Sequence, residues 1–191
     1  MRLLQKIIAK FKALLYYPFF FHRYGKRSLI LKPLHLNGIS NIEVGDRVFV
    51  QEHTWLACVP IEKKDNAKLI LDDGAVIGHF NHIYATQSIV IGKHVLTADK
   101  VYITDNLHQY EDINTPILQQ SIKQLKSVSI GDGSWLGENV CVIGASIGKN
   151  CVIGANSVVT HDIPDYSVAV GVPARIIKKY NFDTETWEKV N

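Results

Sequence analysis

The sequence predicts an all-β solenoid, a stack of short-stranded coils, and three observations carry that prediction. Aliphatic residues recur every six positions, at Leu71, Ile77, Ile83, then Ile91, Ile103, then Ile130, Leu136, Val142, then Ile147, Ile153 and Val159. Of the twelve positions in this register eleven are Ile, Leu or Val, and only Thr97 departs. Glycine follows directly at Gly78, Gly92, Gly131, Gly137, Gly148 and Gly154. Between Ile103 and Ile130 the beat stops, and the last residue before the break is His108. A six-residue period is neither helical nor a strand alternation. It suits short strands joined by tight corners, with one aliphatic side chain per face pointing inward. Three faces make a coil of about eighteen residues, and stacked coils bury a continuous apolar column.

A chain of 191 residues is long enough to bury a sizeable core as one domain with small appendages. No run approaches the roughly 20 apolar residues of a membrane span. The three cysteines, Cys58, Cys141 and Cys151, are odd in number and lack C-x-x-C spacing. That argues against a disulfide framework or zinc knuckle and for a reducing, cytoplasmic setting. The formal charge of +3 hides an asymmetry. Residues 1–27 hold Arg2, Lys6, Lys10, Lys12, Arg23, Lys26 and Arg27 with no acid, giving +7, and the remainder, with 14 basic and 18 acidic residues, carries −4. One basic end on a mildly acidic body implies a local task for that end and excludes whole-surface nucleic-acid binding.

The elements follow in order. Residues 1–27 form a basic amphipathic segment in which Leu3, Leu4, Ile7, Ile8, Phe11, Leu14 and Leu15 follow the spacing of one helical face. Pro18 limits that helix, and Tyr16, Tyr17, Phe19, Phe20 and Phe21 form an aromatic knot. No small-residue cleavage site follows a proper apolar region, so the segment is not a convincing signal peptide. Two readings stand: a helix packed on the repeat domain or a neighbouring subunit, or a peripheral foot on anionic lipid at the inner face of the membrane. The solenoid then occupies residues 28–175. A loose early coil begins at Val44 and Val50, and 60–68 reads as a polar loop. Leu71–Ser88 is a coil, followed by the extra pair Ile89 and Val90; Ile91–His108 is the next. Residues 109–127 are a projecting, non-repeating loop. Ile130–Ser146 is a coil one residue short, Ile147 begins another, and 176–191 are a C-terminal tail. Glycine and asparagine at the corners fit turns of positive φ.

The stretches Ile130-Gly-Asp-Gly-Ser-Trp-Leu-Gly-Glu-Asn-Val, Ile147-Gly-Lys-Asn-Cys-Val-Ile-Gly-Ala-Asn-Ser-Val-Val-Thr-His-Asp-Ile-Pro and Gly171-Val-Pro-Ala-Arg-Ile-Ile resemble the hexapeptide-repeat acyltransferases. The nearer likeness is to the branch holding galactoside, maltose and xenobiotic acetyltransferases and bacterial polysaccharide O-acetyltransferases. It spans about residues 39–180. The resemblance implies a left-handed parallel β-helix, a homotrimer, and acetyl-CoA bound between subunits. The handedness rests on the likeness alone, since crossovers between parallel strands are normally right-handed.

Chemistry gives the break a role. Moving an acyl group from a thioester to a hydroxyl needs a base that takes the hydroxyl proton, and imidazole, with an unperturbed pKa of about 6.5, suits that work. The family carries its catalytic histidine at the end of a coil before a projecting loop and a Pro-Ile, here Pro116-Ile117, which marks His108. The expected reaction is direct acetyl transfer to a hydroxyl of a sugar or polysaccharide precursor, with the oxyanion met by a backbone N–H from a corner of a neighbouring coil. A cysteine nucleophile is less attractive, since Cys141 and Cys151 sit at wall or core positions. By resemblance, Trp135 lies near the acyl group and pantetheine arm, and backbone groups of Gly137, Glu138 and Ala155 line that arm. Thr160, His161, Arg175 and Lys178 lie near the CoA phosphates, although many relatives have lysine where His161 stands. Asn81 corresponds either to an acceptor-side asparagine or to a corner cap. Asp105, Glu111 and Asp112 are candidates to orient His108 or bond sugar hydroxyls. His79, His82 and His94 lack the spacing of a metal site, so no metal is expected. A carbonic-anhydrase-like metalloprotein and a catalytically silent solenoid are the alternatives.

Overall fold

The computed structural model describes residues 2–61 and 66–190. Among the described residues, three parallel sheets form the faces of a solenoid. The first sheet stacks Arg23–Tyr24, Ile42–Val44, Lys68–Leu71, Ser88–Ile91 and Val128–Ile130. The second runs from Leu29–Ile30 through Phe49–Val50, Val76–Ile77, Leu96–Thr97, Trp135–Leu136 and Val152–Ile153 to Ser167–Val170. The third stacks His35–Asn37, Trp55–Cys58, His82–Ala85, Tyr102–Thr104, Cys141–Ile143 and Val158–Val159. Each strand pairs with its counterpart one coil away, so Ile83 lies beside Ile103 and Ile103 beside Val142. The six-residue beat is the physical cause. All twelve register positions, Thr97 included, are at most 2% exposed and form the apolar column. Thr97 keeps its place because its hydroxyl accepts the Gly78 N–H at 3.1 Å.

The corners show which residues take the left-handed turns and which are needed for space. Positive φ falls, as expected, on the corner residues Gly74, Gly133, Gly144, Asn139, Asn150 and Asn156, and also on Phe80, His94 and Lys100, but not on the glycine that follows each inward residue. Gly137 is needed for space: a Cβ there would press on the backbone of Ala155 in the next coil. Aspartates secure the same corners. Asp99 accepts the His79 N–H, Asp132 that of Lys93 and Asp165 that of Lys149, each across one coil step and each at 2.8 or 2.9 Å.

The solenoid also begins earlier than the beat first indicates. Helix α1 (Arg2–Leu15) and the short α2 (Tyr17–Phe20) cap its N-terminal end, yet Arg23–Tyr24 already pairs with Glu43–Val44. The basic segment 1–27 and the solenoid therefore overlap. Of the loop at 60–68, residues 62–65 lie outside the described residues. The tail at 176–191 is not a loose end: Arg175–Asn181 turns back antiparallel on Ser167–Val170 and forms a hairpin with Thr186–Lys189.

The projecting loop differs most from its prediction. Its stem is a two-stranded antiparallel arm, Asn106–His108 against Ile122–Gln124, so the repeat ends at Asp105 and His108 already belongs to the arm. Inside the arm, Gln120 Nε2 donates to the carbonyls of Asp112 and Thr115 at 2.8 Å, and the Thr115 hydroxyl donates to Asp112 at 2.7 Å. The insert is thus built and hydrogen-bonded. It leaves the stack between Tyr102–Thr104 and Val128–Ile130, strands of consecutive coils.

Candidate active site

The arm overhangs the outer face of the third sheet and encloses a cleft of about 460 Å³. His108, Leu107 and Ile122 form the arm side, Trp55, His82, Tyr84 and Tyr102 the floor, and Val59–Ile61 the opposite side. The volume falls within the ~300–1,000 Å³ of small-ligand sites. His108 is exposed on this lip, where a substrate hydroxyl can reach its imidazole.

Asp105 fixes the root of the arm. It is fully buried, and its Oδ1 accepts the Thr86 N–H and hydroxyl at 2.8 Å while Oδ2 accepts the N–H groups of Gln87 and Ser88 at 2.8 Å. Gln124 of the returning strand donates through Nε2 to the Asp105 carbonyl at 2.7 Å. The expectation that Asp105 bonds substrate is therefore corrected: its carboxylate is saturated by backbone donors. Glu111 is likewise turned to the arm. It pairs with Lys123 at 2.6 Å and lies outside the cleft lining. The Lys123 ammonium, followed by the Tyr110 N–H, pulls its carboxyl down to about 2. Asn81 takes the corner role, its amide donating to the carbonyls of Ala98 at 2.8 Å and His79 at 3.2 Å.

The residues linked with the acyl donor lie elsewhere. Trp135 is 47% exposed on the second sheet, in a column with Leu96 and Val152. Gly137 and Ala155 touch across one coil step, leaving a shallow corner, and Glu138 pairs with Lys100 at 3.0 Å. The Thr160 hydroxyl lies 3.0 Å from His161 Nδ1. The Ala174 N–H donates to Val158 O, which tethers the segment bearing Arg175 to the strand leading into Thr160. Arg175 and Lys178 follow on the returning strand, beside Val170 and Val168. Within one chain Trp135, Arg175 and Lys178 belong to the second sheet and the His108 cleft to the third, while Thr160 and His161 follow Val158–Val159 at the far end of the third.

The cleft floor is what the sequence reading missed. Trp55, His82 and Tyr102 each stand directly before an inward residue of the third face, so the beat that buries Leu56, Ile83 and Ile103 aligns them in one outer column. Trp55 and His82 stack at 4.3 Å and 9°, and burial lowers the His82 pKa, which keeps that imidazole neutral near pH 7. Among the described residues no group of three His, Cys, Asp or Glu side chains is arranged to hold a metal. Burial pushes the Cys58 thiol up to about 12 and raises those of Cys141 and Cys151, which opposes thiolate chemistry.

Comparison with known proteins agrees with this architecture. Residues 127–161 match the family model for the hexapeptide repeat of succinyl-transferase. The chain is 42% identical over 128 residues to an Escherichia coli protein named as the lipopolysaccharide biosynthesis O-acetyl transferase WbbJ, covering 63% of this chain and 65% of that one. It is 32% identical over 141 residues to the galactoside O-acetyltransferase of Lactococcus lactis, covering 73% of this chain and 63% of that protein. The chain thus spans somewhat under two thirds of these relatives' length. Among solved structures, a variant of AntD, an N-acyltransferase from Bacillus cereus in complex with dTDP and coenzyme A, superposes with a TM-score of 0.71 at 17% identity, covering 92% of this chain and 90% of that one. The fold is a left-handed parallel β-helix. Over residues 127–161 the chain carries the family's hexapeptide repeat, and beyond them it is similar to proteins named as acetyltransferases.

Proposed function

We propose that this protein transfers an acetyl group from acetyl-CoA to a hydroxyl of a sugar or polysaccharide precursor, with His108 as general base. The observation that carries the reading is the placement of His108, the histidine at the break in the repeat, on the lip of a cleft large enough for a sugar. In the reaction the imidazole takes the proton of the acceptor hydroxyl as its oxygen attacks the thioester carbonyl. A corner backbone N–H meets the oxyanion, and coenzyme A leaves as the thiol. The raised thiol pKa values of all three cysteines favour this direct transfer over an acyl-cysteine route.

The exposed Trp135, the open corner at Gly137, Glu138 and Ala155, and the donors Thr160, His161, Arg175 and Lys178 suit a pantetheine arm and its phosphates. Because Trp135, Arg175 and Lys178 lie on a different sheet from the His108 cleft, on this reading a complete site is formed between copies, in a homotrimer. The place of work is the cytoplasm, at the inner membrane face, reached through the N-terminal segment; no helix among the described residues is long and apolar enough to cross a membrane. The test is coenzyme A release with acetyl-CoA and a panel of sugars and amino sugars. His108→Ala should lower turnover by about 10²–10⁴-fold with the oligomer intact. Full activity in that variant would remove His108 from the mechanism.

A further inference from the structure

Helix α1 packs the wrong way round for a helix that merely caps a core. Ala9, four residues from Ala13, faces the solenoid and is 3% exposed, and Tyr17 of α2 is buried with it. The bulky stripe faces away: Ile7 is 54% exposed, Phe11 63% and Leu14 74%, with Leu4, Leu15 and Phe19 beside them. An apolar surface of this kind marks an interaction site rather than a packing face. Its flanks are cationic. Lys10 stands on one side of the helix and Lys12 on the other, each in its own groove against the first coil. The groove on the Lys10 side is about 550 Å³. Lys26 and Arg27 from the first corner close it, Ala13, Leu14 and Leu29 give it apolar walls, and no carboxylate lines it. The nearby Asp46 accepts the Lys26 backbone N–H at 2.8 Å.

We propose that α1 lies in the surface of an anionic phospholipid membrane, its apolar stripe among the acyl chains, and that the groove formed by Lys10, Lys26 and Arg27 holds a lipid phosphate. The chemistry selects this occupant. Apolar and aromatic side chains bordered by lysine and arginine match the layered polarity of the bilayer interface, and anionic lipid supplies the counter-charge that residues 1–27 lack. A second copy meeting this face would set seven cations against seven, an arrangement that like-charge repulsion disfavours. The proposal deepens the membrane contact named above and does not depend on the acetyl-transfer reading.

Sedimentation of the full-length protein with vesicles tests it. Binding is expected to phosphatidylglycerol-containing vesicles, weak binding to pure phosphatidylcholine, and release by salt. Ile7→Asp with Phe11→Asp should abolish binding while the oligomer and acetyl transfer to a soluble sugar stay unchanged and the melting temperature shifts little, because both side chains are more than half exposed on the outer side of α1. Lys10→Gln, Lys26→Gln and Arg27→Gln together should weaken it about a hundredfold, at about fivefold per cation. Vesicles made anionic with oleate in place of phospholipid separate phosphate recognition from general charge. Equal binding to them would overturn the phosphate groove. No binding to anionic vesicles would overturn the whole proposal, and a shift in oligomeric state in the Ile7→Asp, Phe11→Asp protein would assign the face to a second copy instead.

Discussion

At the scale of single residues, Asp105 shows how a buried charge can serve a site it never touches. Three backbone N–H groups and one hydroxyl converge on its two oxygens, and the arm strand that carries His108 starts at the next residue. Asp105→Asn puts an amide NH2 against donors, so it should cost about 2–3 kcal/mol in chemical denaturation. It should also lower kcat through His108 while the KM for acetyl-CoA holds, because Trp135 and its neighbours sit on another face. An unchanged kcat would reduce Asp105 to a structural residue. His108 was legible because it stands where the period fails. The role of Asp105 was not, since a loop aspartate in sequence gives no sign that four donors from the preceding corner will surround it.

At the scale of elements, the arm is braced on its outer half by Glu111 and Lys123. The Glu111 carboxyl, held at about 2 by Lys123, is ionised in the folded arm well below its ordinary range. A depressed carboxylate stabilises above its unfolded pKa and loses that contribution as pH falls through the folded value. The brace should therefore persist at neutral pH and fail between about pH 4 and 2. Hydrogen exchange of the arm amides across that window, in wild type and Glu111→Gln, checks this: the variant should show the open-arm rates already at pH 6. The arm escaped sequence reading because its pairing is only three residues long on each side, from Asn106–His108 and Ile122–Gln124, with no alternation that survives such brevity. The first coil escaped for a different reason. Tyr24, Ile30 and Leu36 do keep the six-residue beat, pairing with Val44, Val50 and Leu56, but Leu31 stands where later coils carry Gly78, Gly137 and Gly154.

At the scale of the whole molecule, each coil touches only its neighbours, so stability is shared along the column. Ile103 lies in its middle at 0% exposure, between Ile83 and Val142. Ile103→Ala should lower the unfolding free energy by about 2–5 kcal/mol in chemical denaturation. A much smaller loss would mean that the stack closes over the gap. The solenoid was legible in sequence because one side chain per face must point inward, and that demand writes itself into the chain at a fixed interval. The proposed sharing of the site between copies was not, because a period along one chain carries no sign of which outer columns would meet in an oligomer.

Stacked strands rise by about 4.8 Å per coil, and three such steps separate the coil at Arg23–Asn37 from the one that launches the arm. With α1 on a bilayer, as proposed, and the solenoid upright, the strand that launches the His108 arm would stand roughly 14 Å above the first coil, and the stack would work as a gauge of height. A sugar displayed from a lipid on a stalk of that length would meet His108, one on a shorter stalk would pass beneath it, and an added coil would retune the enzyme to a taller substrate without altering a single residue of the cleft.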